Sequence, residues 1–287
     1  MTLLNLCRPT SLAELVAVMR GADPVHLIAG GTDLLVGSRA LPDAGRLVDL
    51  TALPALRGID TTGPDIRIGA ATTAAEIERH AGLALRYPAL VQAAAECGSV
   101  QIRNRATLAG NIANAAAAAD LIPPLLLAGA RIAGLTQGGA ECEISLQDYQ
   151  AGSGMLITTV ILPAEGFGPD SAFVKLGPRR DLTIARLNLA VTAQVQDWRL
   201  LEPRIVAGAL APRAIPLLRA ASVLDAQTLT ADLLRAFLDA LSAEVDAAIA
   251  GRASHGWKRQ AIRGLGIDLI ARLLKLSNRD PLFDGVM

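Results

Sequence analysis

Apolar positions along this 287-residue chain switch between helical and strand periods, and the switches mark its elements. Leu12, Leu15, Val16 and Met19 share one helical face behind a Ser11–Glu14 capping pair, and the stripe stops at Gly21. His26-Leu27-Ile28-Ala29 reads as a short buried strand running into Gly30-Gly31, with a helix expected across 33–39 and a strand over 46–50. A second unit begins near Ala55, with a strand over 65–68. Thr73 and Glu76 then cap a helix through His80, a further helix covers 88–96, and a β-branched strand over 155–162 ends at Pro163. Gly166, Gly168 and Pro169 mark a boundary, followed by expected antiparallel strands over 172–176, 188–195 and 204–210. From Ala220 the pattern is helical, with stripes at Leu233, Leu234, Phe237, Leu238 and Leu241 and at Ile267, Ile270, Leu273 and Leu274. Two lobes, about 1–54 and 55–165, and a C-terminal domain over 166–287 are therefore expected.

Composition narrows the class. Apolar residues make up 52% of the chain and aromatics 3%, so the core is expected to consist of Ala, Leu, Val and Ile. The 27 basic and 27 acidic residues cancel and no long basic run occurs, which makes nucleic acid a poor partner. Cys7, Cys97 and Cys142 are dispersed, which argues against a disulfide framework, a zinc site or an iron–sulfur cluster held by this chain alone. The N-terminus does not read as a signal peptide, and the most apolar stretch, 121–135, is broken by Pro123, Pro124 and Arg131. A soluble, cytoplasmic α/β chain without a membrane span is the expectation from these features.

Two glycine-rich loops, over 29–35 and 107–114, are candidates for chemistry. In 29–35, AGGTDLL, paired glycines after a strand permit a sharp turn and leave backbone N–H groups open to phosphate oxygens, with the Thr32 hydroxyl as a further donor. The alternative is a plain strand-to-helix turn, since neither GxxxxGK[ST] nor GxGxxG is present. Thr107-Leu108-Ala109-Gly110-Asn111 again sets small residues beside hydroxyl and amide groups, and an alanine run leads to Asp120. Those alanines also suit close packing or helix. Two such segments without a catalytic triad or metal set suggest a long pyrophosphate ligand, for which FAD and NAD both fit.

AGGTDLL together with QIRNRATLAGNIANAAAAADLIP resembles the FAD-binding medium subunits of the xanthine dehydrogenase and carbon monoxide dehydrogenase family, the molybdenum hydroxylases. FVKLGPRRDLTIARLNLAV and RIVAGALAPRAIPL extend the resemblance over nearly the whole chain. It implies an α+β fold: a two-lobed FAD-binding domain of the PCMH type, then a C-terminal domain of antiparallel sheet plus helices. It also implies an FAD site. Leu27, Ile28, Ala29, Gly30, Gly31, Thr32, Asp33 and Leu34 would wrap the pyrophosphate and ribityl chain. Thr107, Gly110 and Asn111 would contact the diphosphate, with Ala106 and Ala113 lining the cofactor. Asp120 would accept from the adenosine sugar, Leu156 and Ile157 would pack on the adenine end, and Lys175 would lie near the isoalloxazine carbonyls unless it is a solvent-facing strand lysine. Cys97 stands where some relatives place an aromatic beside the flavin, and Ala109 stands where a glycine is common, which is tolerable if its φ is negative. Asp181 matches only approximately and is left out of the site.

The resemblance further implies an electron-transfer role. Substrate would be oxidised at molybdopterin in a large partner subunit, and electrons would pass through two [2Fe–2S] clusters of a small subunit to FAD here. NAD or another acceptor would take them onward. Arg103, Arg105, Arg179 and Arg180 would meet a partner or cofactor phosphate, or else be solvated. Two other readings stand beside this one: a stand-alone small flavin oxidoreductase with its own substrate pocket, and a chain that kept the fold but lost the flavin.

Overall fold

A computed structural model describes residues 4–36, 44–136, 138–168, 170–179 and 182–286. The elements run β1 (Leu4–Cys7), α1 (Leu12–Met19), β2 (Val25–Ile28), β3 (Gly45–Asp49), β4 (Ile59–Asp60), β5 (Asp65–Gly69) and α2 (Ala74–Glu78). Then come α3 (Ala81–Arg86), α4 (Pro88–Ala95), α5 (Val100–Arg103), α6 (Leu108–Asn114), α7 (Ile122–Leu127), β6 (Arg131–Leu135), β7 (Glu141–Ser145) and β8 (Leu156–Pro163). The chain continues through β9 (Ser171–Leu176), β10 (Leu187–Gln196), β11 (Arg199–Gly208) and β12 (Ile215–Pro216) to α8 (Leu218–Leu224), α9 (Ala231–Ile249) and α10 (His255–Leu274).

Two compact units form, both discontinuous in sequence. The first comprises Met1–Ile77, Ser99–Ala115 and Gly129–Ala164; the second comprises Glu78–Gly98, Ala116–Ala128 and Glu165–Met287. The first unit holds a parallel three-stranded sheet in the order β1-β3-β2 and an antiparallel five-stranded sheet in the order β4-β5-β8-β6-β7. β8 lies in the middle of the larger sheet, where Val160, Ile161 and Leu162 are buried, and α6 packs on it. The capping pairs act as their spacing requires. Ser11 Oγ accepts from the Glu14 N–H, and Thr73 and Glu76 exchange side-chain bonds with each other's backbone.

The second unit is built on an antiparallel sheet in the order β12-β11-β10-β9. Helix α4 packs on β9 and α7 on β10 and β11, while α10 packs on β9 and β10 and α8 on β11. β10 is therefore covered on both faces. Its Leu187, Leu189 and Val191 join Phe237, Leu241 and Ile270 of α9 and α10 in one apolar core, and the alternate positions Asn188 and Ala190 point the other way.

Two expectations differ from the structure, and some elements went unanticipated. The helix expected across 33–39 is a single turn in its described part, with the Leu35 N–H on Gly31 O at 3.0 Å, and 37–39 lie outside the described residues. Gly31 has a left-handed φ of +71°, which cannot begin a right-handed helix. The segment at 107–114, read as a loop, is the helix α6, capped by Thr107 and closed by Ala115 at φ +46°. β6 and β7 went unanticipated, and in β6 Gly134 interrupts the apolar pattern. A β-carbon there would stand 2.2 Å from Leu156 O, so the close approach of β6 and β8 demands the glycine.

The α9–α10 contact rests on a similar absence of bulk. A β-carbon on Gly266 would lie 2.5 Å from Leu241 Cδ1 and 3.0 Å from Leu238 Cδ2. Gly266→Val is expected to lower stability by about 2–3 kcal/mol in a urea titration, through overpacking at this crossing.

Candidate flavin site

Loop 29–35 owes its shape to its two glycines. A β-carbon on Gly30 would stand 1.9 Å from Arg105 O, 2.6 Å from Arg105 C and 3.1 Å from Ala106 Cα, so this loop and the 105–106 segment touch backbone to backbone. Gly31 is required instead by its left-handed conformation, since a β-carbon there would meet only the side-chain ends of Leu35, Cδ1 at 2.9 Å, and Ile28, Cδ1 at 3.3 Å. Ala29, Gly30, Gly31, Thr32 and Leu34 are half-buried, while Leu27 and Asp33 are exposed. Among the described residues, no protein acceptor meets the N–H groups of Gly30, Gly31 and Thr32. Three consecutive free amides without side-chain cover form a concavity suited to an anion.

The second segment is built the opposite way. Ser99 Oγ caps α5, and the Ala106 carbonyl accepts from the Ala74 N–H at 2.9 Å. Every N–H in the first turn of α6 already has a partner: Leu108 on Thr72 O, Ala109 on Ala70 O, Gly110 on Thr107 Oγ1 and Asn111 on Thr107 O. The Thr107 oxygen and the Gly110 N–H thus serve the helix cap, and the end of α6 offers no amide to a phosphate. Ala109 sits inside the helix without a positive φ, which removes the strain its missing glycine would otherwise cause. What this segment leaves open is a side chain: Asn111 Oδ1 is buried with no hydrogen-bond partner. Leu156 and Ile157 are both buried in β8, and as consecutive strand residues they point to opposite faces. Ala113 is exposed.

Asp120, Lys175 and Cys97 belong to the second unit. Lys175 Nζ lies 2.5 Å from Asp120 Oδ2 and 2.9 Å from the Glu96 carbonyl, and its side chain is only 3% exposed. The solvent-facing alternative for Lys175 is therefore wrong; the strand pairing turns it inward. Burial pushes the Asp120 carboxyl above the usual carboxylate range and Glu96 adds to this, while Lys175 and Asn188 pull it back down. Asn188 Nδ2 donates to Asp120 Oδ1 at 2.9 Å. Arg272 clamps the Glu96 carboxylate at 2.7 Å and the Phe173 carbonyl at 2.6 Å. The Lys175 side also borders a recess of about 540 Å³ lined by Glu96, Asp268, Arg272 and Lys275. Cys97, half-buried, follows Glu96 directly. The sequence reading missed Asn188, Glu96 and Arg272; the available signal was one polar residue in the apolar run of β10.

Arg179 is turned onto the Leu182 carbonyl at 2.9 Å, and Arg180 and Asp181 lie outside the described residues. Among the described residues, no group of His, Cys, Asp or Glu could hold a metal ion, and no helix is long and apolar enough to cross a membrane.

Residues 2–165 match the family described as the FAD binding domain in molybdopterin dehydrogenase. The chain belongs to this family. Residues 172–273 match the CO dehydrogenase flavoprotein C-terminal domain, so the pair of domains that the resemblance implied is present in that order. The chain is 29% identical over 267 residues to the xanthine dehydrogenase FAD-binding subunit of Escherichia coli O157:H7, covering 89% of this chain and 91% of that one. It is 27% identical over 269 residues to the nicotinate dehydrogenase FAD-subunit of Eubacterium barkeri, covering 88% of each. Among solved structures, reconstituted CO dehydrogenase from Oligotropha carboxidovorans superposes with a TM-score of 0.82 at 23% identity, covering 96% of this chain and 98% of that one. Quinoline 2-oxidoreductase from Pseudomonas putida 86 gives 0.82 at 22% identity, over 95% and 97%. These likenesses establish the α+β fold, and the FAD-domain family makes the chain an oxidoreductase subunit.

The ion pair of the second unit makes a sharp prediction. Lys175→Met leaves Asp120 buried without its counter-charge and is expected to cost about 3–5 kcal/mol near neutral pH. Because the folded chain holds the Asp120 proton more readily than the unfolded chain does, this deficit is full above the Asp120 titration and shrinks as pH falls through it. Adding Asp120→Leu should restore most of the loss. Denaturant melts of the single and double variants between pH 4 and about 8 check both statements.

Proposed function

We propose that the chain holds FAD as the electron-transfer subunit of a molybdenum hydroxylase, with Gly30, Gly31 and Thr32 gripping the pyrophosphate through their backbone N–H groups. The observation that carries this reading is the row of three amides without acceptors among the described residues, the first of them, Gly30, set against the backbone of Arg105 and Ala106. Fit to the cofactor is supported from the other side by the Asn111 amide, whose buried oxygen lacks a partner that a ligand O–H would supply. Ile28, Ala29, Asp33 and Leu34 complete the wrap, Leu27 and Ala113 offer exposed apolar surface, and Thr107 retains its hydroxyl proton as a donor beside Ala106. Of Leu156 and Ile157, one side chain meets the cofactor, since they face apart.

When bound, FAD supplies a carrier that accepts electrons singly and releases them in pairs. The chain contributes placement and charge. Asp120 accepts from the adenosine sugar, and Lys175, in contact with that carboxylate and bonded to the Glu96 carbonyl, serves the same end of the cofactor rather than the ring, with Cys97 next to Glu96. Several relatives are named as FAD subunits or medium chains, including the carbon monoxide dehydrogenase medium chain of Hydrogenophaga pseudoflava, 36% identical over 111 residues and covering 37% of this chain and 38% of that one. That supports a large molybdopterin subunit and a small subunit with two [2Fe–2S] clusters as partners, with NAD or another acceptor downstream. Cys7, Cys97 and Cys142 form no disulfide, which supports a cytoplasmic setting.

Gly31→Val should abolish flavin retention, because the new side chain meets Leu35 and Ile28 and forbids the left-handed turn. Asn111→Leu should weaken FAD binding roughly tenfold, one hydrogen bond's worth. Flavin absorbance and FAD released on denaturation report both. Normal flavin stoichiometry in Gly31→Val contradicts the site. Turnover of substrate by the isolated chain, free of molybdenum and iron, contradicts the subunit role in favour of a stand-alone flavin oxidoreductase.

A further inference from the structure

Asn188 is the polar exception in its strand. Leu187, Leu189, Ala190 and Val191 around it are buried and apolar, and Asn188 itself is fully buried. An amide in such surroundings is costly unless its groups are paired. One group is paired, Nδ2 donating to Asp120 Oδ1 at 2.9 Å, and the other is not, Oδ1 having no partner. That oxygen lies where residue 208 would carry a side chain: a β-carbon on Gly208 would stand 2.2 Å from it. Gly208 is the register partner of Asn188 on β11, and Lys175 is its register partner on β9. The sheet thus sets Lys175, Asn188 and Gly208 in one row, with the two donors side by side and the glycine making room for the amide.

Asp120 is held by both. Lys175 takes Oδ2 and Asn188 takes Oδ1, which leaves a further lone pair on each carboxylate oxygen. The other charged group acting on it is Glu96 from the end of α4, itself clamped by Arg272 of α10. We propose that Asn188 is a positioning residue of the flavin site, acting through Asp120 by fixing that carboxylate as an acceptor for the cofactor's adenosine sugar. The inference rests on the reading of Asp120 given under the proposed function. With Asn188 in place, burial of Asp120 is opposed by two donors. Without it only Lys175 opposes, and Asp120 takes up its proton at higher pH. FAD affinity that depends on the ionised carboxylate is present above this titration and is lost as pH falls through it.

The test follows FAD release by flavin fluorescence against pH, using the full-length chain loaded with FAD. Asn188→Leu, close in volume, should move the release midpoint upward by roughly one pH unit, the size of one hydrogen bond to a charged acceptor. Asp120→Asn should weaken binding and remove the pH step. In the unsubstituted, ¹⁵N-labelled chain, the Asn188 side-chain N–H signals should titrate with the same midpoint as FAD release, a readout that does not depend on any variant folding. An unchanged midpoint in Asn188→Leu, with the step abolished in Asp120→Asn, would reduce Asn188 to a packing residue and overturn the inference. Asn188 signals that stay flat through FAD release overturn it as well. Asp120→Asn with unaltered affinity and pH step instead overturns the role of Asp120, and the inference falls with it.

Discussion

Gly30 lies so close to the carbonyl of Arg105 that no side chain fits between them. This backbone contact is the constraint on which the first unit's candidate site depends. It joins the turn after β2 to the segment between α5 and α6. Through the Ala106 carbonyl and the Ala74 N–H it reaches the capping box at Thr73 as well. A turn held from outside in this way need not spend its own N–H groups on internal bonds. Among the described residues the amides of Gly30, Gly31 and Thr32 stay open, whereas the first turn of α6, bonded to its own cap and the 70 and 72 carbonyls, is fully closed.

The second unit solves a different problem. It places a lysine, an aspartate and an asparagine against the α4/α7 side of an otherwise apolar sheet, where none could be tolerated alone. Lys175 and Asp120 neutralise each other, Asn188 takes the remaining carboxylate oxygen, and Arg272 ties Glu96 to the strand that carries Lys175. Such a pair adds little net stability, since desolvation offsets most of the attraction, but removing one member is severe. Its value is fixed orientation. The charges assigned separately to sugar and ring are in fact one network, so a change to either is felt by the other.

Much of the fold was legible because local and tertiary preferences agree. Ser11 and Thr73 each precede apolar spacing of the right period, and each caps a helix. β9, β10 and β11 were legible from their apolar runs and turn residues. Where reading stopped short, a partner distant in sequence made the decision. Gly134 breaks the pattern of β6 only because β8 crowds it, and 107–114 looks like a loop until Thr107 is seen to cap it. Recognition of the two glycine-bearing segments located the candidate site. It left hidden that Thr107 spends its hydroxyl oxygen on the Gly110 N–H, a local cap bond, and that Lys175 points inward beside Asn188, which depends on register between strands.

The central claim is that the Gly30, Gly31 and Thr32 amides bind the pyrophosphate of FAD. The most direct measurement is a titration of the ¹⁵N-labelled chain with FAD and, separately, with riboflavin, which has the ring but no phosphate. The account predicts large downfield shifts of these three amide protons with FAD, none with riboflavin, and little change at Leu108 to Asn111 in either case. Shifts confined to the α6 amides, with 30–32 unmoved by FAD, would contradict it.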